Sequence, residues 1–365
     1  MALIGLATLP LCGLVHAQSS VTLYGLIDAG IVYSTNQLGG HEVQMLNSIA
    51  QGSRWGLKGS ENLGGGLSAI FTLENGFTPS NGALGQGGLE FGRQAFVGIA
   101  SDQYGRVTLG RQYEEVVDYI SDTTTDRLSI LFQHPGDNDL TNRGLRTSSA
   151  VKYESPTFAG SARVSALYGF GGQPGSVANL SIYSLGGSYA FGNVYLGAAY
   201  THIDKPGQQT NLGRTWFSST NVIDGIYSLT ASSNDVIAFG AKYTSGPVIV
   251  GLSLTQSRFN NVADVGTARF QNVDLNMSYY LTPALILSGA IVYTNALIDS
   301  QSDHPRYEQG NLMLDYILSK ATDVYLMAAS QWANGGATQA QSSQFISASS
   351  SDRQSTFTVG MRHKF

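Results

Sequence analysis

Histidine, cysteine and serine carry much of protein catalysis, and in this chain their spacing supports none. His41, His134, His202, His304 and His363 are scattered, and no His-x-x-x-His or Glu-x-x-His pair places two of them on one helix face. The nearest approach to a nucleophile elbow, Gly186-Gly-Ser-Tyr-Ala190, lacks the final glycine and lies in a strand-like stretch. The glycine clusters at 64–66 and 85–88 have no phosphate-cradling spacing and read as turns. No cofactor or metal set emerges. What remains is fixed charge, and its meaning depends on the elements that carry it.

Those elements are strands. From Val21 onward the chain breaks into segments of roughly ten residues that alternate in polarity, the length of a tilted membrane strand. Val273, Leu275, Met277, Tyr279 and Leu281 share one face, against Asn272, Asp274, Asn276, Ser278 and Tyr280. Val21, Leu23, Gly25, Ile27, Ala29 and Ile31 oppose Thr22, Tyr24, Leu26, Asp28 and Gly30. The last nine residues place Phe357, Val359, Met361, His363 and Phe365 on one face and end on an aromatic. A helical period fits none of these segments.

The connections alternate in size. Short ones fall at 61–66, 102–105, 154–161, 190–193, 245–247, 282–283 and 319–323. Long ones fall near 35–41, 77–90, 112–147, 171–178, 203–234, 259–268, 295–306 and 334–355. Seven short turns and eight long loops join about sixteen antiparallel strands and put both ends of the wall on the short-turn side. Tyr153, Tyr189, Tyr243, Tyr280 and Tyr316 recur just ahead of short turns, where an interfacial girdle belongs. The 334–355 loop, rich in Ser, Gln and Ala, reads as flexible and surface-exposed.

Composition agrees. Only 12% of the 365 residues are charged, about half the usual share for soluble proteins, while hydrophobic content is an ordinary 42%. That balance suits a wall in which every second residue meets lipid. The net charge of −5 is too modest to point to a partner, and no basic tract suggests nucleic acid. Leu3 to Val15 form an apolar stretch and Val15-His16-Ala17 a small-residue cleavage pattern, so residues 1–17 are expected to be an export signal and 18–365 the barrel domain. The single cysteine, Cys12, falls within the signal. A sheet in lipid must close on itself, and sixteen strands enclose a lumen too wide for side chains to fill. The expected fold is an all-β, sixteen-stranded antiparallel transmembrane barrel with short periplasmic turns and long outer loops.

The run Ser53-Arg-Trp-Gly-Leu-Lys-Gly-Ser-Glu-Asn-Leu-Gly-Gly-Gly-Leu67, continuing through Ala69-Ile-Phe-Thr-Leu-Glu-Asn-Gly-Phe77, resembles the trimeric general porins of Gram-negative outer membranes, most closely the beta-proteobacterial type. Ser20-Val-Thr-Leu-Tyr-Gly-Leu-Ile-Asp-Ala-Gly30, Arg93-Gln-Ala-Phe-Val-Gly98, Tyr104-Gly-Arg-Val-Thr-Leu-Gly-Arg-Gln-Tyr113, Val151-Lys-Tyr-Glu-Ser-Pro156 and the C-terminal strand carry the same resemblance. It implies a third outer loop folded into the pore, and residues 112–147 occupy that position. It also implies a constriction in which loop acids face wall cations. The matching acids are Glu114, Glu115, Asp118, Asp122 and Asp126, with Asp28 on the first strand. The matching cations are Arg54, Lys58, Arg93 and Arg146, with Arg111 where the chain leaves the wall.

Parity supports the wall positions. Arg54 and Lys58 are four apart and share a face, against Trp55 and Leu57; Arg146 shares parity with Lys152. Arg or Lys on the lipid face costs roughly 2–4 kcal/mol at the bilayer midplane, so these side chains should face water. Arg111 shares parity with Val107 and Leu109 instead. Leu26 stands where many relatives of the type place a cation, which weakens the basic side.

The resemblance implies a homotrimer in outer-membrane lipid, with the 77–90 loop as a latch between subunits. The strand ending at Phe365 would be recognised by the barrel-assembly machinery. Passive diffusion of ions and small hydrophilic solutes is the implied function, with a substrate-specific outer-membrane channel as the alternative and a barrel enzyme a distant third.

Overall fold

The computed structural model describes residues 20–142, 145–212 and 221–365; the expected signal, residues 1–17 with Cys12, lies outside the described residues. Among the described residues, seventeen strands form one antiparallel sheet. They are β1 (Ser20–Gln37), β2 (Gly40–Asn47), β3 (Arg54–Gly64), β4 (Leu67–Gly76), β5 (Gln94–Ser101), β6 (Gly105–Tyr113), β7 (Arg146–Glu154), β8 (Ala162–Gly169) and β9 (Ile182–Phe191). The wall continues through β10 (Val194–Asp204), β11 (Ser233–Ser245), β12 (Val248–Val262), β13 (Gly266–Thr282), β14 (Leu285–Ile298), β15 (Arg306–Ile317), β16 (Thr322–Asn334) and β17 (Arg353–Lys364). β2 and β3 both pair with β1, every later strand pairs with the next, and β17 returns to β1 from Leu26↔Lys364 to Ser34↔Thr356. The backbone of Gly25 and Phe365 exchanges two hydrogen bonds of 3.0 Å at that seam.

Seventeen segments make sixteen wall positions. The outer part of β1 pairs with β2 and its inner part with β3, so β2 and β3 are one interrupted strand. The interruption at 48–53 is held by Asp28, whose carboxylate accepts from the backbone N–H groups of Ile49 (2.7 Å), Ala50 (3.1 Å) and Gln51 (3.1 Å). Elsewhere the period-two pattern dictates the wall. Along β17, Phe357, Val359 and Met361 are exposed on the outer face while Gln354, Thr356 and Thr358 are buried on the inner one. No helix among the described residues is long and apolar enough to cross a membrane.

The seven short turns fall where the alternation places them. The first expected long loop, 35–41, is instead a two-residue turn: Leu38 (φ 52°) and Gly39 (φ 102°) both take the left-handed conformation that suits strand twist. Loop 259–268 shrinks similarly, because β12 and β13 keep pairing out to Val262↔Gly266. The 334–355 loop also departs from expectation. Ala340, Gln341, Ser342, Ser343 and Ile346 are buried, and the Gln354 carboxamide oxygen accepts from the Ser342 backbone N–H at 2.9 Å. Serine and glutamine made the segment look solvated, but their side chains hydrogen-bond its backbone within the barrel.

The third long loop folds inward. Its first turn, α1 (Glu115–Tyr119), lies against β9 and β10, and the segment then runs along β11 to β13. Four inward glycines on successive strands make room for it. A Cβ on Gly186 would meet Tyr119 and Glu115, on Gly197 the Tyr119 carbonyl, on Gly240 the Thr123 side chain, and on Gly251 the Thr123 carbonyl. Leu128, Leu131 and Phe132 complete the crossing. They pack against Val32, Ile49, Met313, Tyr325 and Met327 on the other side of the lumen.

Candidate functional site

A polar ladder climbs the inner wall from β1 to β7. Arg54 opens β3, opposite Gly76 of β4, and its Nε lies 3.6 Å from Glu74 Oε2. The Tyr24 hydroxyl of β1 donates to the same oxygen at 2.9 Å. Arg93, just before β5, donates from Nε to Glu74 Oε1 at 2.8 Å and from Nη2 to the Tyr113 hydroxyl at 2.8 Å. Arg146 opens β7 and donates to the same hydroxyl at 3.0 Å, its guanidinium 4.9 Å from the Tyr113 ring centre. Lys58 projects over the Tyr24 ring at 5.4 Å and is exposed. Arg54, Lys58, Arg93 and Arg146 are thus brought onto one arc. Glu74 and Tyr113, which alternation alone did not single out, tie Arg54, Arg93 and Arg146 together. A carboxylate shared by two guanidinium groups at strand ends has no local sequence signature; only the β3–β4 register reveals it.

Arg111 takes a different part. The ladder shifts register between Gly110 and Gln112, which breaks simple parity. The Arg111 guanidinium donates to the carbonyls of Gly92 (2.7 Å) and Arg146 (3.2 Å) and to the Ser148 hydroxyl (2.7 Å). It clamps neighbouring backbones instead of lining the pore.

The acids divide sharply. Asp28 is fully buried and belongs to the wall break, where the Tyr325 hydroxyl also donates to it at 2.9 Å; it does not face the pore. Glu114 caps α1, accepting from the backbone N–H of Val116 (2.8 Å) and Val117 (3.0 Å) and from Thr201 of β10. Burial pushes its carboxyl up to about 7 despite those donors. Glu115 is likewise buried, taking the Ser165 hydroxyl at 3.0 Å with Lys152 Nζ at 3.3 Å. Both glutamates therefore point from the loop into the wall, not across the pore. The reason is local: the chain turns into a helix straight after β6, which spends Glu114 on the helix terminus. Asp118 is 36% exposed and ion-paired to Lys152, Asp122 is exposed, and Asp126 is buried and accepts from Thr124 at 3.1 Å.

Farther along the loop, His134 is fully buried between Asp139 (Nδ1, 2.6 Å) and Asp274 of β13 (Nε2, 3.1 Å). Burial opposes its protonation, but the two carboxylates outweigh that and raise its pKa well above the usual histidine value. The Thr125 N–H donates to Asp274 at 2.6 Å, and Arg127 donates to Asn276 at 2.9 Å and Ser278 at 3.1 Å. The loop is therefore bolted to β13 by charge-assisted bonds. Nothing in the sequence spacing linked His134 to Asp274.

Leu26 lies in register between Arg54 on β3 and Lys364 on β17. These three, with Tyr24, Gln51 and Glu74, line an open recess of about 360 Å³ in the lumen. Lys364 was not anticipated; its inward parity on the last strand would have found it.

Comparison with known proteins places this architecture. The profile of the Gram-negative porin family matches residues 2–336. Outer membrane porin protein 32 of Delftia acidovorans is 28% identical over 381 aligned positions, covering 100% of this chain and 99% of that protein. An outer membrane porin protein of Bordetella pertussis is 29% identical over 263 positions, 68% of this chain and 57% of its own length. An anion-selective porin from Comamonas acidovorans superposes with a TM-score of 0.76 at 21% identity, over 95% of this chain and 100% of that one, a likeness of fold.

Proposed function

This chain belongs to the Gram-negative porin family and forms a passive channel in the bacterial outer membrane, and we propose that it is a general diffusion pore with a preference for small anions. The observation that carries the reading is an imbalance at the narrowed level. Lys58 and Lys364 reach water and Arg54 is partly exposed. Most of the acids that would offset them are withdrawn or paired: Glu74 is buried between two arginines, Glu114 and Glu115 are buried in the wall, and Asp118 is ion-paired to Lys152, while Asp122 stays exposed. Fixed charge in a narrow aqueous pore biases entry toward the opposite sign. Leu26 does not undo this, because Arg54 and Lys364 flank it. The similar fold of a protein described as anion-selective supports the same reading.

A solved outer membrane protein of Vibrio cholerae of similar fold, described as a trimer, supports a homotrimer; in this reading the outer wall meets lipid and the C-terminal strand is the assembly signal. Residues 1–17 serve in this reading as the export signal. It is a channel and not an enzyme, since the matched family is one of porins.

The test is a planar bilayer under a potassium chloride gradient. The expected result is stepwise conductance with a reversal potential of the sign that marks chloride preference. Removing one wall charge changes the local energy by about RT with opposite sign for the two ions, so Arg54→Ala should lower the chloride-to-potassium permeability ratio roughly fivefold to tenfold. Cation preference in the parent protein would overturn the anion reading. Inserted, folded protein without conductance would overturn the open pore.

A further inference from the structure

The outward face of β11 to β15 changes polarity in ordered rows. Nearest the short turns, Tyr279 opposes Val248. Above it come the apolar pairs Val250↔Met277, Leu252↔Leu275 and Leu254↔Val273. Next is an amide row, Gln256↔Gln271↔Asn295, and then Arg258 directly opposite Arg269. Arg269 is ten residues above Tyr279 on the same strand. At about 3.3 Å per residue and a tilt of roughly 40°, that is a rise of about 25 Å, the height of the apolar band of an outer-membrane barrel. The two arginines therefore stand at headgroup level in the leaflet on the long-loop side.

Like charges directly opposite across an antiparallel pair repel and are normally avoided. Neither guanidinium has an ion pair among the described residues, and Arg269 Nε is buried with no hydrogen-bond partner. The one acid in the row, Asp235 opposite Arg258, is already occupied: it accepts from the Tyr200 hydroxyl (2.7 Å), the His202 ring (2.7 Å) and the Asn260 amide (2.6 Å). Arg306, exposed, adds a third cation next to Asn295. Glu308 lies one row lower on β15, opposite Tyr293.

We propose that Arg258 and Arg269 together bind the phosphate of a phosphorylated lipid in the outer leaflet, with its acyl chains on Leu254, Val273, Leu252 and Leu275. A phosphate accepts bidentate bonds from both guanidinium groups and turns their repulsion into a shared attraction. Gln256, Gln271 and Asn295 lie just below and can hydrogen-bond a sugar or glycerol backbone. The apolar rows beneath fix the source as an amphiphile, because a free anion would gain nothing from them.

Native mass spectrometry of the detergent-solubilised protein, titrated with bisphosphorylated lipid A and with its dephosphorylated form, tests this. The parent should retain the phosphorylated lipid at least tenfold more tightly. Arg258→Gln combined with Arg269→Gln should abolish that difference while single-channel conductance stays unchanged, and Arg258→Lys should keep part of it. Equal retention of both lipids by the parent overturns the proposal, as does full retention by the double variant. Displacement of the lipid by millimolar inorganic phosphate alone would make this a soluble-anion site, and dissociation of subunits in the double variant would make the face a protein contact; either result overturns the lipid assignment. Unchanged conductance and heat-modifiable mobility show that the variant is folded.

Discussion

Strands β9 to β12 offer the inward loop Gly186, Gly197, Gly240 and Gly251, whereas the arc from β1 to β7 carries a ladder in which Tyr24 and Arg54 reach water beside the buried Glu74, Arg93 and Arg146, joined through Tyr113. The first arc works by removing side chains, so that backbone meets backbone and the loop lies flat. The second works by filling space with charge that neighbouring strands hold in place. A pore of defined bore needs both: one side recedes to seat the constricting segment, and the other projects to meet the solute. The difference explains why a wall with one repeating pattern of alternation can be so unequal inside.

The charged arc is the more fragile to a single change. Glu74→Gln leaves Arg93 buried without its counter-charge, and breaking a buried pair from one side costs about 3 kcal/mol or more. Denaturant unfolding of the folded barrel in detergent should show that loss; a change under about 1 kcal/mol would mean that Tyr113 and water suffice for Arg93. On the recessed arc, Gly240→Val drives a side chain into Thr123 and should cost about 1–3 kcal/mol through overpacking. It should also push the loop toward the axis and lower single-channel conductance. Gly310→Val, on the outward face with no atom within 4 Å of the new Cβ, is the control and should alter neither. Equal effects from the two substitutions would remove the special status of the glycine arc.

The smallest effect on the alkaline side belongs to the bolt at the far end of the loop. The raised pKa of His134 means that its ionic contribution is fully present below about pH 6.5, the ordinary histidine value, and is lost as pH rises through the elevated folded one. His134→Gln, which can keep a neutral hydrogen bond, should therefore cost about 1.5 kcal/mol or more at about pH 6 and progressively less on the alkaline side. Parallel stability profiles for parent and variant would show that the ring is not held as a cation.

Strand alternation and loop rhythm made the barrel legible, because a wall between lipid and water imposes a period of two with few exceptions. What escaped was whatever broke that period. Residues 48–53 leave the ladder, and Gly110 shifts it beside Arg111. Both are backbone events without a strong residue signature. The wall cations were readable from parity joined to the motif resemblance. The acids were not: Glu114 and Asp28 look like pore lining until the backbone N–H groups they satisfy are seen. A carboxylate's role depends on its donors, and those can lie far away in sequence.

Asp28 draws together the interrupted second wall position, the Tyr325 hydroxyl of β16 and, through Ile49, the crossing loop, whose Ile130 N–H and Ser129 hydroxyl both reach the Ile49 carbonyl at 2.9 Å. It sits on β1 near the seam where first and last strands meet. A barrel still open at that seam has no complete set of donors for this carboxylate, and so no firm seat for the loop. Shutting the ring and narrowing the bore are coupled in one side chain, and a half-zipped barrel would be a wide, unsieved hole.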